Sequence, residues 1–310
     1  MKPALVLACD ENFTAFASIV AKQALDLASE KFPIIVLADN VSDESKHLAR
    51  TVCPGIEFID VAPLFENVRV RVHKHYTRVA YARLLVEDAL SDFDQITYLD
   101  SDITILADIV PLLKQPLTVA PVAAAHDLPM LFAYRAMRRR PVSPGSPYFN
   151  SGVIVFDMKR LKAEGIFRKA LQFAIEHPER CDFVDQDALN HVLDGRWQVL
   201  DWRWNTTSIF LDQLPAKPFI RHLNGNKPWA GNKWGIEPYI IDIWRDALRR
   251  SPWPERFMPA QEGPGPKRRP VRSMINLVSP GIKGQVTRLA RNPGRIFSRI
   301  EPGALAKPLL

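Results

Sequence analysis

The sequence predicts an α/β fold: a mostly parallel central sheet with helices packed on both of its faces. Three observations predict it. Over the first two thirds of the 310 residues, short aliphatic runs alternate with segments whose apolar residues recur at helical spacing. Acidic residues, Asp10, Asp39 and the pair Asp100 and Asp102, stand where such runs end, which is where open α/β sheets bind ligands. A composition of 47% hydrophobic and 24% charged residues is ordinary for a soluble enzyme and supplies a packed core.

The elements follow in order. PALVLACD (3–10) reads as a buried strand, because its apolar run of seven residues is too short for a secretory leader. FTAFASIVAKQALDLASE (13–30) has helical spacing, PIIVLAD (33–39) is a second strand, SDESKHLARTV (42–52) a helix with a Ser/Asp start, and IEFIDV (56–61) a third strand. TRVAYARLLVEDALSD (77–92) predicts a helix and QITYLDSD (95–102) a strand. Residues 126–150 hold four prolines and three consecutive arginines, a long loop of the kind that is usually functional. SGVIVFDM is then a strand, with helices near 159–177 and 184–194. Residues 201–235 are rich in Trp, Asn, Pro and Gly and show little periodicity. From Pro252 a Pro/Gly/basic segment reads as a linker, which divides the chain into a domain over 1–251 and an extension over 252–310. No internal repeat is visible, and no window approaches the ~18 to 20 apolar residues that span a bilayer.

Charge is unevenly placed. From Pro264 to Leu310 there are ten Lys and Arg against Glu301, a balance of +9, whereas the remaining residues carry 31 basic and 33 acidic groups, a balance of −2. In GIKGQVTRLARNPGRIFSRI (281–300), Arg288, Arg291, Arg295 and Arg299 lie on one stripe, and Val286, Leu289, Ile296, Phe297 and Ile300 on another. Pro293 divides the segment into two short pieces. A basic amphipathic tail suits an anionic membrane surface, the alternative being a disordered basic tail. No aromatic platform or known module supports nucleic-acid binding. Cys9, Cys53 and Cys181 are widely spaced and match no zinc pattern, so reduced, buried thiols in a cytoplasmic protein are expected.

Asp100-Ser101-Asp102 is the chief chemical signal. An isolated pair of this kind commonly caps a helix, and either Asp102 or Asp108 is placed to cap the one that IVPLLK begins. Following a strand, the pair also fits two chemistries. DSDIT matches the first motif of haloacid dehalogenase-type phosphohydrolases, in which one Asp attacks phosphorus and the other is the acid/base. Some 95 residues of βα units precede it here, however, and no later GDxxxD pair is present. The pair also fits the DxD that binds a divalent ion against a nucleotide diphosphate and neutralises the charge of the leaving group. Oxygen ligands with one imidazole suit Mn²⁺ or Mg²⁺. RHLNGNKPW (221–229) offers His222 as a third ligand, Gly225 for close backbone approach and Lys227 as a point charge for phosphate.

Four blocks then resemble glycosyltransferase family 8, the retaining galactosyl- and glucosyltransferases that include bacterial lipopolysaccharide enzymes and glycogenin. They are ACDENF (8–13), YARLLVEDAL with ITYLDSDITIL (81–106), PYFNSGVIVFD with VDQDALN (147–190), and HLNGNKPW (222–229). The resemblance implies a GT-A type fold and a UDP-hexose donor. It implies Asp100, Asp102 and His222 as metal ligands, and Ala8, Asp10, Asn12, Phe13 and Ser101 around the nucleotide. Gly225 and Lys227, with His75 beside them, would meet the diphosphate. It implies Arg83, Asn150, Ser151, Asp185 and Gln186 at the donor sugar, and Asp187 and Asn224 on the side of a glycan or glycolipid acceptor. Arg83, Asp185 and Gln186 carry the catalytic expectation, either through attack by Gln186 or Asp185 on the sugar or, as favoured here, through front-face transfer needing no enzymic nucleophile. Two features depart from the family. Lys227 follows Gly225 one residue sooner than in the commonest form, and the Pro/Arg loop over 135–147 has no counterpart, so that Arg138, Arg139 and Arg140 read as a solvated charge run. The expected setting is the inner face of a bacterial membrane, with synthesis of lipopolysaccharide or another surface polysaccharide as the task. The alternatives are the phosphohydrolase and an inactive, membrane-attached relative.

Overall fold

The structure, a computed structural model, describes residues 1–72, 76–127, 141–207, 216–233 and 235–260. The described strands are β1 (Pro3–Asp10), β2 (Ile34–Asp39), β3 (Ile56–Asp60), β4 (Gln95–Leu99), β5 (Ile103–Ile105), β6 (Val122–His126), β7 (Phe149–Asp157), β8 (Gln198–Val199) and β9 (Ile220–His222). Seven of them form one sheet in the order β3-β2-β1-β4-β7-β6-β8, and β5 pairs with β9 apart from it. The β3, β2, β1 and β4 neighbours run parallel, β7 runs antiparallel to both β4 and β6, and β8 is parallel to β6. The sheet is thus mostly parallel, as predicted.

Side chains alternate across β1, which is why both of its faces are apolar. Ala4, Val6 and Ala8 enter one core with Leu37, Ile96 and Phe156; Leu5, Leu7 and Cys9 enter the other with Val36, Leu99 and Val155. The helices are α1 (Thr14–Asp26), α2 (Asp43–Val52), α3 (Val110–Leu113), α4 (Met158–Glu164), α5 (Ile166–Glu176), α6 (Val184–Leu193) and α7 (Pro238–Arg249). Residues of α4, α5 and α6 fill the first core, and those of α1, α3 and α7 fill the second. Ser42 starts α2 by accepting from Ser45 N at 3.2 Å, with Asp43 and Glu44 in the first turn, a cap worth about 1 kcal/mol. Cys9, Cys53 and Cys181 are buried and unbridged.

Four predicted elements need correction. Residues 77–92 form no continuous α-helix but a 3-10 segment, Arg78–Leu84, followed by turns. Tyr81 to Leu84 are all buried, against β1, α5 and α6. Four successive residues sweep about 300° of an α-helix, and this segment has no solvent face to spare, so packing overrides propensity. The strand expected over 95–102 stops at Leu99, and 100–102 is the turn into β5. The helix expected over 159–177 breaks at Gly165, whose φ of 60° is open to glycine without penalty. α1 ends at Asp26, short of residue 30. α7 lies outside every segment predicted above; it buries Ile240, Trp244 and Leu248, and Trp244 Nε1 donates to Thr104 Oγ1 at 2.8 Å. The Arg138–Arg140 run and the basic tail beyond 260 lie outside the described residues.

Candidate active site

β4 ends beside β1, and the turn that follows is fastened on three sides. Ser101 Oγ donates to Ala8 O at 2.9 Å, Asp100 N donates to Gly152 O at 2.9 Å, and Leu223 N donates to Asp102 O at 2.9 Å. The small second sheet brings the distant ligand in. Antiparallel pairing of β5 with β9 sets Ile103 opposite His222, so a residue 120 positions along the chain sits against the Asp100–Asp102 turn. The capping alternative is settled by Asp108, which accepts from Val110 N at 2.9 Å at the start of α3.

Ligand atoms of Asp100, Asp102 and His222 all lie within 4.8 Å of one another. His222 Nε2 is 3.7 Å from Asp100 Oδ2 and 3.4 Å from Asp102 Oδ1, while its Nδ1 lies 2.9 Å from Asn205 Oδ1. Burial would raise the Asp102 pKa, but Lys227 and His222 outweigh it and hold this carboxyl well below its ordinary value. Lys227 Nζ lies 2.5 Å from Asp102 Oδ2, so the shortened spacing after Gly225 still delivers the ammonium to the site. Gly152 makes the approach possible, because a Cβ there would stand 2.2 Å from His222 Cε1 and 2.9 Å from Asp100 Oδ2. Two carboxylates and an imidazole that converge within 4.8 Å fit a divalent cation.

The floor of the site is built around Arg83. Its guanidinium donates to Ser151 O at 2.5 Å and to Asp100 Oδ1 at 3.0 Å, lies 3.6 Å above the Tyr98 ring, and places Nε 3.4 Å from Asp185 Oδ2. Burial would lower the Arg83 pKa; Asp185, Tyr98 and Asp100 reverse that and keep it above its ordinary value. Asp185 moves the other way. Burial pushes it up to about 7, and Arg83, whose hydrogen bonds go to Asp100 and Ser151, only partly offsets this. Gln186 is fully engaged: Oε1 accepts from Ser151 N at 2.9 Å, and Nε2 donates to Asp127 Oδ2 at 3.1 Å and to Tyr148 Oη at 3.0 Å.

These groups line one cavity of about 610 Å³ at the carboxyl ends of the strands. Of the predicted residues, Ala8, Asp10, Phe13, Arg83, Asp100, Ser101, Asp102, Asn150, Ser151, Asp185, Gln186, His222, Asn224, Gly225 and Lys227 line it. Asp10 also accepts from Phe13 N at 3.1 Å, turning the chain from β1 toward α1. Asn12 is exposed and is not among the lining residues. His75 lies outside the described residues. Asp187, expected on the acceptor side, instead points inward: it is fully buried and accepts from Tyr148 Oη at 2.5 Å and Phe183 N at 2.8 Å. Asp39 is likewise structural, held by Arg78. Sequence reasoning missed Asp127, Tyr76, Thr77, Tyr98, Gly152 and Asn205. Asp127 had a signal, since it follows β6 just as Asp100 follows β4. The others carried none.

The model of the family described as Glycosyl transferase family 8 matches residues 4–233. General stress protein A of Bacillus subtilis is 29% identical over 214 residues, which cover 61% of this chain and 73% of that protein. Lipopolysaccharide 1,2-glucosyltransferase of Escherichia coli is 28% identical over 192 residues, and lipopolysaccharide 1,3-galactosyltransferase of Salmonella typhimurium is 28% identical over 195. Those alignments cover 57% and 58% of this chain, and just over half of each relative, 56% and 57%. Among solved structures, the galactosyltransferase LgtC in complex with donor and acceptor sugar analogues superposes with a TM-score of 0.69 at 22% identity, covering 79% of this chain and 95% of that one. The bifunctional glycosyltransferase WbbM gives 0.66 at 24% identity, over 83% of this chain and 51% of that one. At these identities the likeness shows the fold, which is of the GT-A type.

Proposed function

Because the chain belongs to glycosyl transferase family 8, we propose that it is a metal-dependent, retaining hexosyltransferase. It moves galactose or glucose from a UDP-sugar to a glycan or lipid-linked acceptor, in the synthesis of lipopolysaccharide or another surface polysaccharide. The observation that carries this reading is the convergence of Asp100, Asp102 and His222 in a cavity at the ends of the parallel strands. Relatives named as lipopolysaccharide glucosyl- and galactosyltransferases support the choice of hexose and pathway.

Asp100, Asp102 and His222 would hold Mn²⁺ or Mg²⁺, which when bound supplies the positive charge that stabilises a departing diphosphate. The protein's own groups do the rest. Lys227 offers a second cation to the diphosphate, Asp10 and Phe13 flank the nucleotide, and Arg83, Asn150, Ser151 and Asp185 orient the donor sugar. Front-face transfer is favoured over attack by Gln186, whose neutral amide is bound on both sides by Ser151, Asp127 and Tyr148. The residues then act by positioning and electrostatic stabilisation.

The same reading assigns residues 1–251 to the catalytic domain and gives the basic extension over 252–310 an anionic membrane surface, placing the enzyme at the inner face of the membrane. No helix among the described residues is long and apolar enough to cross a membrane. Co-sedimentation of the full chain with anionic vesicles but not with neutral ones checks this part. For the activity, UDP release from a panel of UDP-hexoses is followed with and without Mn²⁺. Release from UDP-galactose or UDP-glucose that depends on Mn²⁺ is expected. No release from any donor would leave an inactive relative, and hydrolysis of a phosphomonoester that is lost in Asp100→Asn would mark a phosphohydrolase.

A further inference from the structure

Behind the three candidate ligands lies a chain of buried polar side chains that ends on His222. Asn150 Nδ2 donates to Asp127 Oδ2 at 3.0 Å. Asn150 Oδ1 accepts from Gly152 N at 3.0 Å and from Asn205 Nδ2 at 2.8 Å. Asn205 Oδ1 in turn lies 2.9 Å from His222 Nδ1. Asp127, Asn150, Asn205 and His222 are each at least 94% buried, so water does not compete for these bonds.

The direction of every link follows from its two ends. Gly152 N–H can only donate, so the group of Asn150 that faces it must be the carbonyl. The Asn150 amide then points the other way, at the Asp127 carboxylate, which accepts. A carbonyl facing Asn205 requires Asn205 to present its amide there, which turns the Asn205 carbonyl toward His222. An acceptor at 2.9 Å from Nδ1 requires the imidazole proton to sit on that nitrogen. Nε2 is left without a proton, and it is Nε2 that faces Asp100 and Asp102.

We propose that Asn205 is a positioning residue: it fixes His222 in the tautomer protonated on Nδ1, so that a bare Nε2 is presented to the cation before the cation arrives. Metal-bound histidines depend on such a partner for ring orientation and basicity, and losing one typically weakens metal binding about 10- to 100-fold. The inference rests on the reading of His222 as a metal ligand, but the tautomer itself can be measured without metal.

The test uses the full chain in two arms. In the first, long-range ¹H–¹⁵N spectra of the histidine rings are recorded without metal at a pH of about 8.5, two units above the ordinary imidazole value, with His222 assigned by loss of its signals in His222→Gln. The expected result is a protonated Nδ1 and an unprotonated Nε2; a proton on Nε2 overturns the proposal. In the second arm, Mn²⁺ alone is titrated into wild type, Asn205→Leu and Asn205→Asp, and the free ion is followed by its paramagnetic resonance signal. Asn205→Leu should bind Mn²⁺ about tenfold more weakly, while Asn205→Asp, which still accepts from Nδ1–H but gives up the donor to Asn150 Oδ1, keeps the wild-type tautomer and binds Mn²⁺ more tightly than the Leu variant. Equal affinity in the Leu variant, or an Asp variant that behaves like Leu, contradicts the role. Should Asn205→Leu not fold, the wild-type spectrum and the Asp variant still decide. A wild type that binds no Mn²⁺ sinks the metal reading instead, and the spectrum separates the two failures.

Discussion

The two sides of the cavity treat a carboxylate in opposite ways. On the metal side, Asp102 is desolvated but meets Lys227 at 2.5 Å and His222 at 3.4 Å, and its pKa is driven down. On the floor, Asp185 is also desolvated, but Arg83 stands 3.4 Å away with its hydrogen bonds spent on Asp100 and Ser151, and the Asp185 pKa rises to about 7. Burial has the same sign for both. The distance and hydrogen-bond geometry of the neighbouring donors decide the outcome. One side is arranged to stay anionic, and the other is left near the point where it gains or loses a proton at neutral pH.

Substitutions can break or sharpen this contrast. The largest effect is expected from Asp102→Asn, which removes the carboxylate that Lys227 and His222 hold in its anionic form. Mn²⁺-dependent UDP release should fall on the order of a thousandfold, as when a preorganised electrostatic group is deleted. Arg83→Ala removes the cation shared by the two sides and leaves Asp185 buried without one. Thermal denaturation should show a loss of about 3 kcal/mol, the cost of breaking a buried, hydrogen-bonded ion pair by removing one partner. Gly152→Ala drives a methyl into His222 and should cost about 2 kcal/mol by overpacking. Its signature is a loss of Mn²⁺ affinity larger than the shift in melting temperature would suggest.

The floor side also sets a pH dependence. Because the folded Asp185 pKa is near 7 against an ordinary 3.8, the native chain holds a proton that the unfolded chain has released between those values. The stability contributed by this group is therefore fully present below about pH 4 and is lost as pH rises through 7. Asp185→Asn should flatten that slope when unfolding is measured across the same window.

What could be read from the sequence follows the same division. The metal side was legible because its parts announce themselves locally: two acids at the end of an apolar strand, and a His, Gly and Lys in one short block. The alternating pattern located β1 to β4, and so placed Asp10 and Asp100 at the right end of the sheet. The floor was less legible. Arg83 was found, but the helix expected to carry it is a 3-10 segment, since burial on all sides overrode a helical pattern. Asp187 looked like a site residue from its neighbours Asp185 and Gln186, yet its direction on α6 turns it to Tyr148. Gly152 and Asn205 meet His222, which lies 70 and 17 residues away in the chain. Nothing in a local pattern reports such a contact.

The central claim is that Asp100, Asp102 and His222 bind a divalent ion that in turn holds a nucleotide diphosphate. Calorimetric titration of UDP into the full chain, with and without Mn²⁺, tests it most directly. Binding that requires Mn²⁺ in wild type and is lost in Asp102→Asn is expected. UDP binding of equal strength without the metal, or unchanged by Asp102→Asn, would contradict it.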